Sequence, residues 1–166
     1  MHKINDLVLY STHGLCKIHD ITEKTFSDET KAYYELRPLR DLKLQIHIPV
    51  GSTKIQMMDL LNEKQANAII DSFEHATYQT FEKNYFVNHD FNEMISTANR
   101  EKMVTVIYSL MIRKDQVVKD GKKLPIQETK ALANLQGILF NELAIVTNRS
   151  YEDIYSDVEK QVFQTA

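Results

Sequence analysis

One cysteine, no tryptophan, four glycines and three prolines stand among 166 residues, and each scarcity excludes something. A lone cysteine, Cys16, permits no intramolecular disulfide, which suits a reducing cytosol, and it leaves no thiolate set for a four-ligand zinc site. Four glycines are too few to build a backbone cradle for phosphate. The motifs of phosphate loops, serine hydrolases and H-E-x-x-H metalloproteases are missing. No apolar run approaches the roughly 20 residues that cross a bilayer, and Met1-His2-Lys3-Ile4-Asn5-Asp6 lacks the apolar core of a signal peptide. These absences predict a cytoplasmic protein without membrane, metal, cofactor or small-molecule substrate, and not an enzyme. His13, Cys16 and His19 do form H-x2-C-x2-H. Residues three apart on a strand point to opposite sides, so His13 reads as part of a turn and Cys16 as a small, half-buried side chain.

What is present is ordinary for a globular protein, with 43% hydrophobic and 26% charged residues. Its arrangement is informative. Asn5 to Ile18 reads NDLVLYSTHGLCKI: apolar positions Leu7 and Leu9 alternate up to Tyr10, the pattern breaks at Ser11-Thr12-His13-Gly14, then Leu15 and Ile18 resume it. That predicts strand, tight turn and strand, with Gly14 free to take positive φ. Leu42 to Val50 alternates with period two. Leu42, Leu44, Ile46, Ile48 and Val50 fall on one face, Lys43, Gln45 and His47 on the other. Such a strand buries one face and offers the other to water or a partner.

Composition changes near Met57. Before it lie short alternating runs separated by turn formers such as Ser27-Asp28 and Arg40-Asp41; after it, longer stretches carry helical periodicity. Strands followed by helices predict an α+β chain. Residues 1–57 suffice for about five short strands, a small SH3-like or Tudor-like barrel. Its core candidates are Leu7, Leu9, Ile18, Ile21, Tyr34, Leu36, Leu44, Ile46 and Ile48. Residues 58–166 form an all-α helical domain. Its first helix begins near Asp59, which with Asn62 would cap it, and carries Ala66, Ile69, Ile70 and Phe73. Tyr78 to Phe91 is aromatic-rich and less regular. A clearer helix starts near Asn99 with Met103, Val106, Ile107, Leu110 and Met111 at i, i+3, i+4 spacing. It stops at Asp120-Gly121, and Pro125 fits the first turn of the next. That helix carries Leu132, Leu135, Leu139, Phe140 and Leu143. After a break over Thr147 to Ser150 a last helix bears Ile154, Val158 and Val162.

Charge is segmented. Residues 59–99 carry a balance of −5, residues 100–130 of +4, and residues 131–166 of −3, within a net −3. A basic segment between two acidic ones is either a solvated helix face or a surface for phosphate.

Taken in order, NDLVLYSTHGLCKI, YYEL (Tyr33 to Leu36) and Ile48-Pro49 resemble the CarD/CdnL-type bacterial transcription regulators, whose opening runs roughly GD-x-VVYP-x-HG-x-G-x-I and continues with YYVL and VP elements. The same module heads the polymerase-interacting region of the transcription-repair coupling factor. Ala131 to Ala144, ALANLQGILFNELA, is similar to the family's LAxAxxILxxELA. Departures are Asn5 for the usual Gly, Ser11 for Pro, and Gly51-Ser52-Thr53 where a more acidic segment is common.

The resemblance implies a strand over Lys43 to Ile48 that pairs with the RNA polymerase β subunit, with Lys43, Gln45 and His47 on its polar face and Lys24 and His47 as basic contacts. His47 is a weaker cation than the Arg common there. It also implies that the second half contacts promoter DNA, where relatives wedge a Trp into the minor groove. Lacking Trp, this chain offers Tyr85 or Phe86, in Phe81-Glu82-Lys83-Asn84-Tyr85-Phe86, as wedge or as core. Phosphate contacts would fall to Arg100, Lys102, Arg113, Lys114, Lys122 and Lys123. DNA binding by the free chain is expected to be weak and non-specific. The alternatives are a polymerase-docking adaptor whose helical domain binds protein, and a small cytosolic enzyme.

Overall fold

The computed structural model describes residues 2–10, 13–51 and 57–164. The chain divides into two compact units, residues 1–60 and 61–166, and the α+β order holds: among the described residues, five antiparallel strands precede five α-helices.

The strands of the first unit are β1 (Leu7–Tyr10), β2 (Gly14–Phe26), β3 (Glu29–Pro38), β4 (Ile46–Pro49) and β5 (Met57–Asp59). Their order in the sheet is β4-β3-β2-β1-β5, as suits a small five-stranded barrel. Ser11 and Thr12 of the first turn lie outside the described residues. His13 stacks on Tyr10 with ring centroids 5.7 Å apart, and Gly14 takes φ 68°. Asn5, which replaces a glycine of the resembled pattern, has φ 76°, a left-handed conformation that Asn tolerates better than most residues. Ser27 and Asp28, with φ 48° and 65°, form a two-residue turn whose positive φ values match the strand twist, so β2 and β3 pair out to Phe26 and Glu29.

The core of this unit is Val8, Cys16, Ile18, Tyr34, Leu36 and Ile48. The alternation read from sequence left out Val8, which lines this cluster. Leu9 is buried on the reverse face beside its partner Leu15, and Leu7 is only half-buried. Cys16 is fully buried, not half-buried, and burial pushes its thiol up to about 11 against a weaker opposing pull from Arg40. The expected strand over Leu42 to Val50 is also corrected. Only Ile46–Pro49 is strand; Leu42 and Leu44 are exposed, because two turns curl the chain there before it rejoins β3. Asp59 caps no helix, since it pairs with Val8 in β5.

The second unit begins with Asn62, whose side chain accepts from the Gln65 N–H at 2.7 Å while Gln65 returns a bond to the Asn62 N–H at 3.0 Å. This capping box starts α1 (Glu63–Ser72). Asn88 caps α2 (His89–Ser96), a short helix whose first residues overlap the stretch Tyr78 to Phe91 expected to be less regular, and Asn99 caps α3 (Arg100–Lys119). α3 ends in a Schellman motif: Gly121, at φ 74°, donates to Val118 and Lys122 donates to Val117. Pro125 is the N-cap of α4 (Ile126–Thr147), one position ahead of the first turn. Asn148 at φ 55° closes α4, and α5 (Tyr151–Gln164) follows. α4 packs against α1, α3 and α5, and the apolar positions read from the i, i+3, i+4 spacing on α3, α4 and α5 are buried. No helix among the described residues is long and apolar enough to cross a membrane.

Candidate functional site

In the first unit β4 ends the sheet on one side and, among the described residues, has no strand on its outer edge. An edge strand exposes a row of backbone donors and acceptors to a partner strand. Register sets Asp20 opposite Glu35, and Glu35 opposite His47; Tyr33 lies between Thr22 and Pro49, and Lys24 pairs with Lys31. Side chains alternate across a pleated strand. Since Tyr34 and Ile48 point into the core, these rows occupy the opposite face, and His47 and Lys24 share it. Lys31 is paired with Glu29 at 3.1 Å, and Glu35 with Arg37 at 3.2 Å. Phe26, 59% exposed, stands edge-on to Tyr33 on the projecting part of the hairpin. Lys43 and Gln45 are exposed, but on the turn-rich segment before β4 rather than on a strand face.

In the second unit Phe81, Tyr85, Phe86 and Phe91 form one aromatic cluster, with neighbouring centroids 4.8 to 5.7 Å apart. Phe91 is buried, while Tyr85 and Phe86 are half-buried. Burial, then the nearby Asp90 carboxylate, raises the Tyr85 hydroxyl above its ordinary range. Beside Phe81 and Phe86 lies a cleft of about 550 Å³, lined also by Arg113, Ile126 and Glu128.

The six basic residues read as phosphate contacts separate into different environments. Arg100 is not available to phosphate: it makes a bidentate pair with Glu142 at 3.0 and 2.6 Å, the two side chains 11% and 1% exposed. Arg113 is held by Glu128 at 2.7 Å. Spacing along α3 marked both as basic, but their acidic partners come from α4, a pairing invisible in sequence. Lys102 is exposed but shares a depression with Asp90 and Glu93. Lys114 and Lys123 come together with Val118, Leu124, Ile126 and Lys130, and exposed Lys122 adjoins them in sequence. Lys130 was not singled out from sequence; its place at the end of the basic segment was the available signal.

The first unit is thus a small antiparallel sheet and the second a set of packed helices with a lysine cluster. Residues 2–59 match the CarD-like/TRCF RID domain family, a family of RNA polymerase β-subunit interaction domains. Over its length the chain is similar to a Bacillus subtilis (strain 168) protein named "Putative transcription factor YdeB". The two are 28% identical over 160 residues, which cover 94% of this chain and 99% of that protein.

Proposed function

We propose that the protein is a non-enzymatic transcription regulator. It docks on the RNA polymerase β subunit by adding a partner strand to the edge of β4, with Lys24 and His47 as polar contacts. Its helical unit meets promoter DNA through Lys114, Lys122, Lys123 and Lys130 and alters open-complex stability. The observation that carries the reading is the β4 edge, unpaired among the described residues, within a unit matched over residues 2–59 to a polymerase-interacting family.

Magnitudes shape the reading. Alternate residues of a strand turn their N–H and C=O to one edge, so β4, whose outward residues are His47 and Pro49, offers one N–H and two C=O, roughly three hydrogen bonds. At about 1 kcal/mol net each, they fall short of the ~8 kcal/mol of micromolar affinity, so other contacts must assist. Three or four lysines on phosphate give weak binding whose log–log salt slope is roughly −3. DNA is then engaged chiefly while polymerase holds the protein near it, through raised effective concentration.

The test is capture of purified core RNA polymerase by the full chain. His47→Glu is expected to weaken capture several-fold with the fold intact, whereas Ile48→Asp unfolds the first unit by burying an unpaired charge. If wild-type chain and polymerase fail to associate at micromolar concentration, the reading is wrong. A second reading, in which the helical unit grips a protein, is favoured by Val118 and Ile126, 58% and 73% exposed beside the lysines.

A further inference from the structure

The segment joining β3 to β4, residues 39–45, reads LRDLKLQ. Leu39, Leu42 and Leu44 are 37%, 59% and 38% exposed, so leucines that alternate like a buried strand face instead stand in water. The segment is nevertheless fixed. The Leu39 N–H donates to the Leu15 carbonyl of β2 at 2.9 Å, Asp41 to Pro38 at 3.1 Å, and Leu44 to the Asp41 carbonyl at 3.1 Å. The Asp41 carboxylate also accepts from the Lys43 N–H at 3.2 Å. Two successive turns anchored to the sheet thus hold three leucines outward.

Exposed apolar side chains on a pre-ordered loop are suited to binding, because little conformational freedom is lost when a partner covers them. The loop is continuous with the docking edge. Leu44 lies two residues before Ile46, and at about 3.3 Å per residue a strand laid along β4 reaches the loop at once. We infer that residues 39–45 form an apolar contact loop, anchored by Leu42, that seats on the polymerase β subunit beside the strand β4 adds to. This rests on the docking proposed above and supplies the affinity that four edge residues lack. Lys43, exposed between Leu42 and Leu44, sets a positive charge among the leucines, so the complementary surface is an apolar depression with an acidic group at its rim.

The experiment measures binding of the full chain to purified core RNA polymerase by interferometry, for wild type, Leu42→Ser, Leu42→Ser with Leu44→Ser, and His47→Glu. Thermal melts and sedimentation accompany each variant. Leu42→Ser is expected to weaken binding about tenfold and the double variant further, with melts unchanged because the side chains are already exposed. If the leucine variants bind like wild type while His47→Glu is weakened, the loop inference is overturned and the docking reading stands. If wild type does not bind, both are overturned. Self-association of the free chain that Leu42→Ser abolishes would also overturn the inference, by making a second copy the occupant. Should a leucine variant melt early, Leu42→Lys, which keeps a long side chain on the same backbone, is measured in its place.

Discussion

Arg100 and Glu142 are locked to each other. Two bonds of 3.0 and 2.6 Å join guanidinium and carboxylate, and the same carboxylate accepts the Leu61 N–H at 3.0 Å. One buried Glu on α4 thereby fixes the start of α3 and the chain entering α1. Removing one partner leaves an unpaired buried charge. Glu142→Ala or Arg100→Ala is expected to cost about 3–5 kcal/mol in urea unfolding, whereas Arg100→Met with Glu142→Leu should cost less, about 1–3 kcal/mol, because the Leu61 N–H is left without its acceptor. A loss of DNA effect in an Arg100 variant therefore reports instability, not a lost phosphate contact.

The lysines are separable from the arginines. Lys114→Glu with Lys123→Glu is expected to remove the chain's effect on promoter opening while polymerase capture persists, and to reduce the magnitude of the DNA salt slope by about 2. Normal regulation by that variant would favour the protein-binding reading of this surface. Arg113→Glu should instead repel Glu128 and show mainly as a lowered melting temperature. Phe86→Leu keeps an apolar body in the aromatic cluster; a loss of promoter effect with an unchanged melt would identify Phe86 as the wedge.

Ala98 is strained. It sits at φ 47° between α2 and α3, its N–H bonded to Ile95 and that of Asn99 to Met94. This is a Schellman stop at which glycine is the usual occupant. An L side chain pays about 1–2 kcal/mol there, partly offset by the greater freedom glycine has when unfolded. Ala98→Gly should raise stability by roughly 0.5–1 kcal/mol, read as a higher urea midpoint with unchanged slope.

Cys16 ties stability to alkaline pH. Its folded thiol ionises at about 11 against a usual 9.0, so above pH 9 the unfolded chain loses its proton first. Stability contributed by the neutral thiol is full below pH 9 and declines between 9 and 11, by about 2–3 kcal/mol in all. Cys16→Ala should flatten that decline. Native protein should resist thiol reagents at pH 8, and ready labelling without unfolding would contradict the burial.

Much of the architecture was legible because local rules and tertiary packing agree. The i, i+3, i+4 pattern on α3, α4 and α5, the Asn62 cap, the start of α3 near Asn99 and the Gly121 stop each have a cause within one turn of helix. Legibility failed where the cause lies elsewhere in the chain. Alternation over Leu42 to Gln45 looked like strand, but Asp41 bonds its own neighbours and curls the segment. Val8 is buried as well as Leu9, since residues on both faces of β1 are apolar and period two cannot choose between them. Arg100 and Arg113 looked free because Glu142 and Glu128 are far away in sequence.

The brevity of β4 has a consequence for how the chain survives while unengaged. Long, flat edges invite copies to stack into fibrils. This edge is four residues long and ends at Pro49, which has no N–H to donate and stops a ladder from propagating. An uncovered β4 would therefore resist the edge-to-edge stacking of copies that a longer, proline-free edge would allow.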